Sequence, residues 1–352
     1  MNWINNLTGV QTLVLFSAIK IACMIGVVMF IVAYSTLAER KICAYIQNRH
    51  GPNRVGPWGL LQPAVDGIKS FLKEDYTPGH VRKIYFWLAP ALSMAPALLT
   101  FAVIPFGSQL GSQKMVIADL NVGVLYTFGI VSLGVYGIVL AGYAANSKYP
   151  FLGGIRSSAQ MISYEIAMGM SVISIFMLVG DLRLSGVIGY QAGTSLGFIP
   201  NWLIFKQPLA FFIFMVAAFA ETNRLPFDFP EAEQELVGGY NTEYSSMKFA
   251  LFFMGEYANM VASSAMMVTL FLGGWTLPFF GLDQPATSLL MGLVHIGIFI
   301  GKVVGLIVLF IWVRWMWPRF RFDQLMDLGW KKFIPLALAN ILVTAVVLWL
   351  AR

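Results

Sequence analysis

Seven acidic residues are concentrated in one segment of this chain, which runs from the end of one long apolar stretch into the next. The whole chain has only 17 acidic residues, so the segment carries a large share of its negative charge. The seven are Glu221, Asp228, Glu231, Glu233, Glu235, Glu243 and Glu256. Carboxylates at membrane depth are costly, and the usual reason for keeping them is functional. The segment therefore predicts a proton or ion path, or a site for a polar ligand.

The backbone around these acids is predicted to be an irregular loop. Pro226 and Pro230 precede the glutamates of 231–235, and Gly238-Gly239 follow them. Those three glutamates are spaced by two residues, so they do not share one face of a helix. Irregular backbone at membrane depth needs protein or water around it. Because Phe227 and Phe229 are interleaved with the acids, we favour a loop folded against a cavity over a solvated acidic loop.

Further charged residues occur inside the apolar stretches. Glu165 and Glu256 lie about two turns from the ends of their predicted helices, too deep to reach the headgroups easily. His295 and Lys302 are seven residues apart and share a helix face. A buried lysine such as Lys302 facing a buried glutamate would satisfy the usual pairing of charges in membranes. Lys20 lies in the outer half of the first stretch and can snorkel toward the interface.

A second region with chemical interest is the loop 36–83. Its residues 57–74 show helical periodicity, with apolar side chains on one face and Asp66, Lys69 and Lys73 on the other. This pattern is typical of an amphipathic helix in the membrane interface. Such a helix serves either as a surface anchor or as one wall of a lateral entrance for a lipid-like substrate. Periodicity alone leaves both interpretations open.

Composition indicates which elements position these residues. Hydrophobic residues make up 58% of the 352 positions and charged residues 11%, against about 25% charged in soluble domains. We therefore predict an all-α integral membrane protein with a single domain over residues 1–352. About eight transmembrane helices and one interfacial helix on the cytoplasmic side are expected. The predicted spans are 12–35, 84–106, 122–145, 159–180, 203–221, 249–272, 288–313 and 333–351.

The distribution of Lys and Arg predicts the orientation of this bundle. Seventeen of them lie in the odd-numbered loops, whereas the alternate loops hold only Lys114, Arg183 and Lys206. Positive charges in short loops mark the cytoplasmic side. Both termini are therefore expected on the periplasmic side, and the acidic segment on the cytoplasmic side. The first stretch has no basic region before it, so we expect it to remain as a span.

The sequence shows no metal or redox motif. Cys23 lies in a predicted span and Cys43 on the reducing side, and the three histidines have no ligand spacing. No phosphate-binding, haem or iron–sulfur motif is present. The net charge of +6 follows from topology rather than from a nucleic-acid-binding face. If the chain serves redox chemistry, we expect partner subunits to carry the redox centres.

Two long blocks carry a specific resemblance to a known family. The block AERKICAYIQNRHGPNRVGPWGLLQPAVDGIKSFLKED and the block AETNRLPFDFPEAEQELVGGYNTEYSSMKFALFFMGEYANM both resemble the H subunit of respiratory NADH:quinone oxidoreductase (complex I), of the bacterial type. The resemblance implies an inner-membrane protein that binds no cofactor itself. It implies quinone as the substrate, with FMN, NADH and iron–sulfur clusters in the other complex I subunits. The chain would join the membrane arm to the peripheral arm.

The resemblance also implies roles for individual residues. The path of the quinone would be bordered by Arg40, Asp66, Lys69 and Lys73. Arg224 would be a counter-charge near Glu221. Glu221, Glu231, Glu233, Glu235 and Glu243 would line an inner funnel, which Glu165 and Glu256 would continue into the bundle. These acids, together with Lys302, would couple quinone reduction to proton translocation.

Two other functions compete with this one. The first is the related membrane subunit of a proton-pumping hydrogenase complex. Its soluble partner subunit would carry nickel ligands instead of a quinone site. The full block GPNRVGPWGLLQP favours the quinone branch. A stand-alone transporter would show matching halves with broken helices. No matching halves are visible, and the acids cluster in one loop.

Overall fold

The fold is all-α, as predicted. The computed structural model describes residues 9–111, 113–195, 199–231, 233–279 and 281–351, without the side chains of residues 9–13, Ser195 and Glu233. Helix makes up 71% of the structure. Within the described residues, strand is limited to two antiparallel hairpins. They pair β1 (Gln109–Leu110) with β2 (Gln113–Lys114) and β3 (Thr194–Ser195) with β4 (Ile199–Pro200).

Thirteen α-helices follow one another within the described part of the chain. They are α1 (Gly9–Ile46), α2 (Gln62–Leu72), α3 (Lys83–Thr100), α4 (Gly123–Ala144), α5 (Lys148–Val179), α6 (Leu184–Tyr190), α7 (Leu203–Lys206), α8 (Pro208–Glu221), α9 (Glu233–Leu236), α10 (Ser246–Phe271), α11 (Leu289–Met316), α12 (Phe322–Asp327) and α13 (Ile334–Leu350). Pro57–Gly59 and Gly239–Asn241 form 3₁₀ turns, and Leu328–Phe333 form a π-helical segment between α12 and α13.

Five helical segments are long and apolar enough to cross a membrane. They are Val14–Ile46, Gly123–Ala144, Lys148–Val179, Leu289–Met316 and Phe322–Leu350. Helices α3, α8 and α10 occupy the other three predicted windows. Of these, α8 has only 14 residues. The fifth window, 203–221, is broken because Pro208 starts a new helix and has no backbone N–H to continue the previous one.

Several helices differ in extent from the predicted spans. Helix α1 continues to Ile46 instead of ending at residue 35, and α5 begins at Lys148 instead of 159. Both extensions carry charged or polar residues, which a hydropathy window excludes although the helical backbone continues. Helix α3 ends at Thr100, so residues 101–106 lie outside it.

Helix α10 is the centre of the bundle. It packs against α1, α2, α3, α8 and α11. Small residues such as Gly255, Ala258 and Ala262 are buried along it, and small residues allow helices to approach closely. A similar close approach joins α3 to α4, where a Cβ on Gly137 would lie 2.6 Å from the backbone nitrogen of Ser93. This packing holds the buried part of α10, with Glu256, at a fixed position among its neighbours.

Candidate functional site

The carboxylate of Glu39, near the end of α1, is the centre of a buried charge cluster. Glu39 is only 7% exposed. The hydroxyl of Tyr257 on α10 donates to its Oε2 at 2.6 Å, and Nη1 of Arg224 lies 3.3 Å from the same atom. Arg314 on α11 donates to Oε1. One carboxylate thus joins α1, α10, α11 and the loop after α8.

Arg224 connects Glu39 to a second buried carboxylate. Its Nη2 lies 3.7 Å from Oε2 of Glu256 on α10, and its guanidinium lies over the Tyr257 ring, 4.0 Å from the centroid. Burial alone would lower the pKa of Arg224, but Tyr257, Glu256 and Glu39 raise it above its ordinary value overall. Arg224 is therefore a permanent positive charge between two carboxylates of different helices.

The cluster continues from Glu256 into the loop 222–245. The Tyr240 hydroxyl donates to Oε1 of Glu256 at 3.0 Å, and Asn241 donates to Glu231 at 2.5 Å. Burial raises the pKa of Tyr240, so this phenol keeps its proton at neutral pH. Burial, and then the negative charges of Glu256 and Asp228, raise the pKa of Glu231 to about 8. Glu231 can therefore gain or lose a proton near neutral pH.

Asp228 forms the side of the cluster that faces the segment between α11 and α12. Arg319 donates to its Oδ2 at 2.9 Å. Burial raises the pKa of Asp228, although Arg319 and Arg314 oppose this shift. Four acids and three arginines are thus close enough to influence one another, so the charge of Glu231 depends on the charges of Asp228 and Glu256.

The loop after α8 is packed against the protein rather than solvated, but none of its described residues lines the cavities described below. Phe227 and Phe229 are 4% and 1% exposed, and Phe227 stacks on Phe320 with ring centroids 5.6 Å apart. The amide of Gln160 on α5 donates to the carbonyl of Phe227 at 2.8 Å and to that of Ala220 at 2.7 Å. These contacts fix the start of the loop and hold Arg224 and Asp228 in place.

Gly239 makes the end of this loop possible. Its φ of 54° lies in the left-handed region, which glycine adopts without steric cost. A Cβ at this position would lie 1.7 Å from the carbonyl oxygen of Pro230. The two halves of the loop therefore touch through their backbones here, which positions Tyr240 and Asn241 beside Glu256 and Glu231.

A cavity of about 700 Å³ lies beside the cluster, between α1, α2, α10 and the end of α11. Much of its wall is apolar, and its polar groups include Glu39, Arg40, Asp66, Tyr257 and Arg314. Other lining residues are Met29, Val32, Phe71, Phe249, Phe253, Met254 and Trp315. Glu39 and Tyr257 thus belong both to the cavity wall and to the buried cluster.

Only part of the predicted quinone path lines this cavity. Arg40 and Asp66 do so, and they form an ion pair at 2.7 Å that ties α1 to α2. Lys69 and Lys73 are exposed and do not line it. Arg224 does not line the cavity but contacts Glu39 and Tyr257, which do, and its described ion pairs are with Glu39 and Glu256 instead of Glu221.

Glu221 and Glu165 form a second, separate group. Glu221, at the end of α8, lines a small cavity of about 20 Å³ with Asn259 and Ser263 of α10. Its carboxylate is near enough to that of Glu165 on α5 for electrostatic repulsion. Ser132 on α4 donates a hydrogen bond to Glu165. Because Asn259 lies one helical turn from Glu256, polar side chains of α10 extend from the first cluster to this second group.

Of the other predicted acids, Glu235 is exposed and Glu243 is half-buried. Glu235 pairs with Arg156 at 2.5 Å, and Glu243 lies 3.7 Å from Nε2 of His80. The side chain of Glu233 lies outside the described part of the structure. The structure brings neither Glu235 nor Glu243 into the buried cluster.

Lys302 lies beside the segment that follows α10, and none of its polar contacts with described residues is to a glutamate. Its ammonium donates to the carbonyls of Leu272, Gly274 and Thr276 at 2.7, 3.0 and 2.7 Å. It also lies 4.5 Å from the centre of the Trp202 ring. Backbone carbonyls after the end of α10 therefore replace the carboxylate as partners of this cation.

Comparison with known proteins identifies the family. The profile of the NADH dehydrogenase family matches residues 19–345. The chain is 50% identical to NADH-quinone oxidoreductase H subunit 1 of Cytophaga hutchinsonii, over 90% of this chain and 92% of that protein. The chain belongs to the family of NADH-quinone oxidoreductase H subunits. H subunit 2 of Geobacter metallireducens is 49% identical, over 94% of each chain, and H subunit 2 of Koribacter versatilis is 47% identical, over 96% of this chain and 98% of that protein.

For this member of the H-subunit family, sequence reasoning missed five residues of the buried charge cluster, namely Glu39, Tyr240, Tyr257, Arg314 and Arg319. In the sequence, Glu39 belongs to a charged segment after the first predicted span. Arg314 contributes only to the count of positive charges that predicts which loops are cytoplasmic. Tyr257 and Tyr240 do not stand out, because tyrosines in an apolar sequence usually pack in the core. The available signal was the motif itself, since Tyr257 follows Glu256 directly and Glu39 precedes Arg40.

Proposed function

We propose that this chain forms the chamber in which quinone is reduced, and that its buried charges couple the reduction to proton translocation. As a member of the H-subunit family, it would do so within an NADH-quinone oxidoreductase. The observation that carries the proposal is the shared position of Glu39. Its carboxylate lines the 700 Å³ cavity and also binds Arg224, which pairs with Glu256.

The cavity suits a quinone by its size and by the chemistry of its wall. Sites for small molecules measure about 300–1,000 Å³ and combine apolar walls with a few polar groups. A quinone has an apolar tail and two carbonyl oxygens that accept hydrogen bonds. The apolar side chains of α1 and α10 suit the tail and ring, whereas the Arg314 guanidinium supplies N–H donors near Glu39.

Access from the bilayer is proposed along α2. This helix exposes Ile68, Phe71 and Leu72 on one side, and Phe71 also lines the cavity. An amphipathic helix with this exposure lies in the membrane interface. Arg40 and Asp66 would stand at the entrance, and Lys69 and Lys73 on its outer edge.

Coupling is proposed to begin at Glu39. Reduction of a quinone by two electrons requires two protons. Charge that develops on the quinone beside Glu39 and Arg314 changes the electrostatic energy of all the acids and arginines in the buried cluster. Glu231 is poised to respond, because its pKa of about 8 lies close to neutral pH. A change in charge beside Glu39 would act electrostatically through the fixed positive charge of Arg224 on Glu256, and from there on Glu231.

The path onward is proposed to follow α10. Asn259 and Ser263 connect the region of Glu256 to the small cavity at Glu221, and Glu165 follows on α5. Glu233, Glu235 and Glu243 would shape the outer rim, where the peripheral arm docks. Lys302 would take part in proton translocation at the opposite, periplasmic end of the bundle.

The proposed placement in the inner membrane has eight crossings. Helices α3, α8 and α10 would cross together with the five apolar segments, as parts of a single domain. The Lys and Arg distribution supports cytoplasmic odd-numbered loops and periplasmic termini. The central cluster would then lie at the cytoplasmic end of the bundle, below the peripheral arm.

The partners of the chain are proposed from its family. Other subunits of the complex would carry NADH, FMN and iron–sulfur clusters, and the last cluster would deliver electrons to the cavity. A proton-pumping hydrogenase is the second candidate function. The names of the relatives favour the quinone reaction, and the subunits that co-purify with this chain would distinguish the two.

The proposal is tested by Glu39→Gln in the assembled complex, with Glu235→Gln as the matched control. Both variants remove one carboxylate, but Glu235 lies at the surface. We expect Glu39→Gln to lower quinone reduction and proton pumping at least tenfold, and Glu235→Gln to resemble the parent. Parent-like turnover and pumping in Glu39→Gln would refute the proposed function.

A further inference from the structure

A second cavity lies between α1, α10 and α11, away from the charge cluster. It measures about 460 Å³ and contacts the hairpin of β1 and β2 at one end. Its wall is almost entirely apolar, with Phe16, Met24, Val28 and Phe299 among the lining residues. Among the described residues, Lys20 is the only charged one that lines it, and Gln113 lies beside Lys20.

Lys20 has no acidic partner within the described ranges. Its Nζ lies 3.5 Å from Oε1 of Gln113, which is its described polar contact. By contrast, the nearby Lys114 lies 3.6 Å from Asp119. A cation at the rim of an apolar membrane cavity is complementary to an anion that carries a long apolar group.

The position of Lys20 along α1 matches the depth of lipid headgroups. Residues 21–38 contain no charge, and Glu39 and Arg40 follow them. Eighteen helical residues span about 27 Å at a rise of about 1.5 Å each, close to the ~30 Å thickness of a hydrocarbon core. With Glu39 and Arg40 at one face of the membrane, Lys20 lies near the opposite face, where its long side chain can snorkel to the headgroups.

We propose that this cavity binds an anionic phospholipid, with one acyl chain inside it and the phosphate on Lys20. The acyl chain would fill the space between α1, α10 and α11, and Gln113 would offer its amide to the headgroup. The bound lipid would fasten α1, of which little is buried in the isolated chain. This site is distinct from the quinone cavity, and it does not depend on the proposed reaction.

Cys23 offers a direct reporter of occupancy. It lies one turn from Lys20 on α1, lines the same cavity and is exposed. The other cysteine, Cys43, is buried and lies beside the quinone cavity. A bound acyl chain should therefore shield Cys23 from alkylation, and Cys43→Ala would remove the second thiol from the measurement.

The experiment measures alkylation of Cys23 by N-ethylmaleimide in the assembled complex. The complex is placed in nanodiscs of phosphatidylcholine, with or without phosphatidylglycerol. We expect phosphatidylglycerol to slow the alkylation about fivefold, which is the effect of one Lys on an anionic headgroup. The Lys20→Gln variant should lose this difference, whereas Lys20→Arg and the control Lys114→Gln should keep it.

Three results would overturn the proposal. The first is equal protection of Cys23 by the two lipid compositions, and the second is unchanged protection in Lys20→Gln. The third is an unreactive Cys23 even after lipid is removed with detergent, because a neighbouring protein would then cover the cavity. Quinone reduction is not the readout, so failure here is distinguishable from failure of the proposed function.

Discussion

Replacing Arg224 by glutamine tests the central cluster most severely. The substitution removes the cation between Glu39 and Glu256. Glu39 keeps two partners, Arg314 and Tyr257, whereas Glu256 keeps only the Tyr240 hydroxyl among the contacts of the described residues. The main consequence is therefore a buried carboxylate at Glu256 without a counter-charge.

The size of the effect follows from the distance between these groups. Two unit charges separated by 3.7 Å attract by about 4 kcal/mol at an effective dielectric constant of about 20. Breaking a buried ion pair by removing one partner costs about 3–5 kcal/mol, which agrees with this figure. We expect Arg224→Gln to lower the amount and the melting temperature of the assembled complex.

The double variant Arg224→Gln/Glu256→Gln separates stability from function. It removes the unpaired carboxylate, so most of the lost stability should return. Proton pumping should stay low, because the connection from Glu39 to Glu256 is still missing. The assays are the melting temperature of the complex and the ratio of pumped protons to reduced quinone in proteoliposomes. A double variant no more stable than Arg224→Gln, or normal pumping in either variant, would refute the reasoning.

Three further predictions concern the remaining acids and Lys302. Asp66→Asn and Glu221→Gln should each lower quinone reduction by the complex several-fold without loss of assembly, and normal turnover and pumping in both would contradict the assigned roles. The pKa of Glu231 is raised from its ordinary 4.5 to about 8 in the folded protein, so folding favours its protonated form. The free energy of unfolding should therefore fall as the pH rises from about 5 to 8. Glu231→Gln lacks this contribution, and its melting temperature should decline less over that interval; identical pH profiles would argue against the raised pKa. Lys302→Met removes three hydrogen bonds from a charged group to backbone carbonyls and should destabilise the end of α10 by about 3 kcal/mol. If Lys302 also serves coupling, the ratio of pumped protons to reduced quinone should fall in Lys302→Met and recover in Lys302→Arg, and an unchanged ratio would restrict Lys302 to a structural role.

The positions of the long helices could be predicted because hydropathy identifies continuous apolar segments long enough to cross a membrane. Each of the eight predicted windows contains a helix in the structure. Helix ends could not be predicted in the same way. Helix α1 continues through Glu39, Arg40 and Lys41, whose charges end a hydropathy window but not a helix.

The site was predictable only in part, because its contacts join residues distant in the sequence. Glu39 meets Arg224 and Arg314, which are 185 and 275 residues away. No spacing rule connects such positions. The acidity of the loop and the phenylalanines within it did indicate a buried polar region. The separation of Glu221 and Glu165 from Glu256 depends on the packing of α5, α8 and α10.

The central claim is that quinone in the cavity changes the protonation of the buried carboxylates. Infrared difference spectroscopy of the assembled complex, triggered by quinone reduction, measures such changes directly through the carboxyl C=O bands. We predict a carboxyl signal in the parent that loses a component in Glu256→Gln and is unchanged in Glu235→Gln. A parent spectrum without any carboxyl change, or one that is identical in Glu256→Gln, would contradict the account.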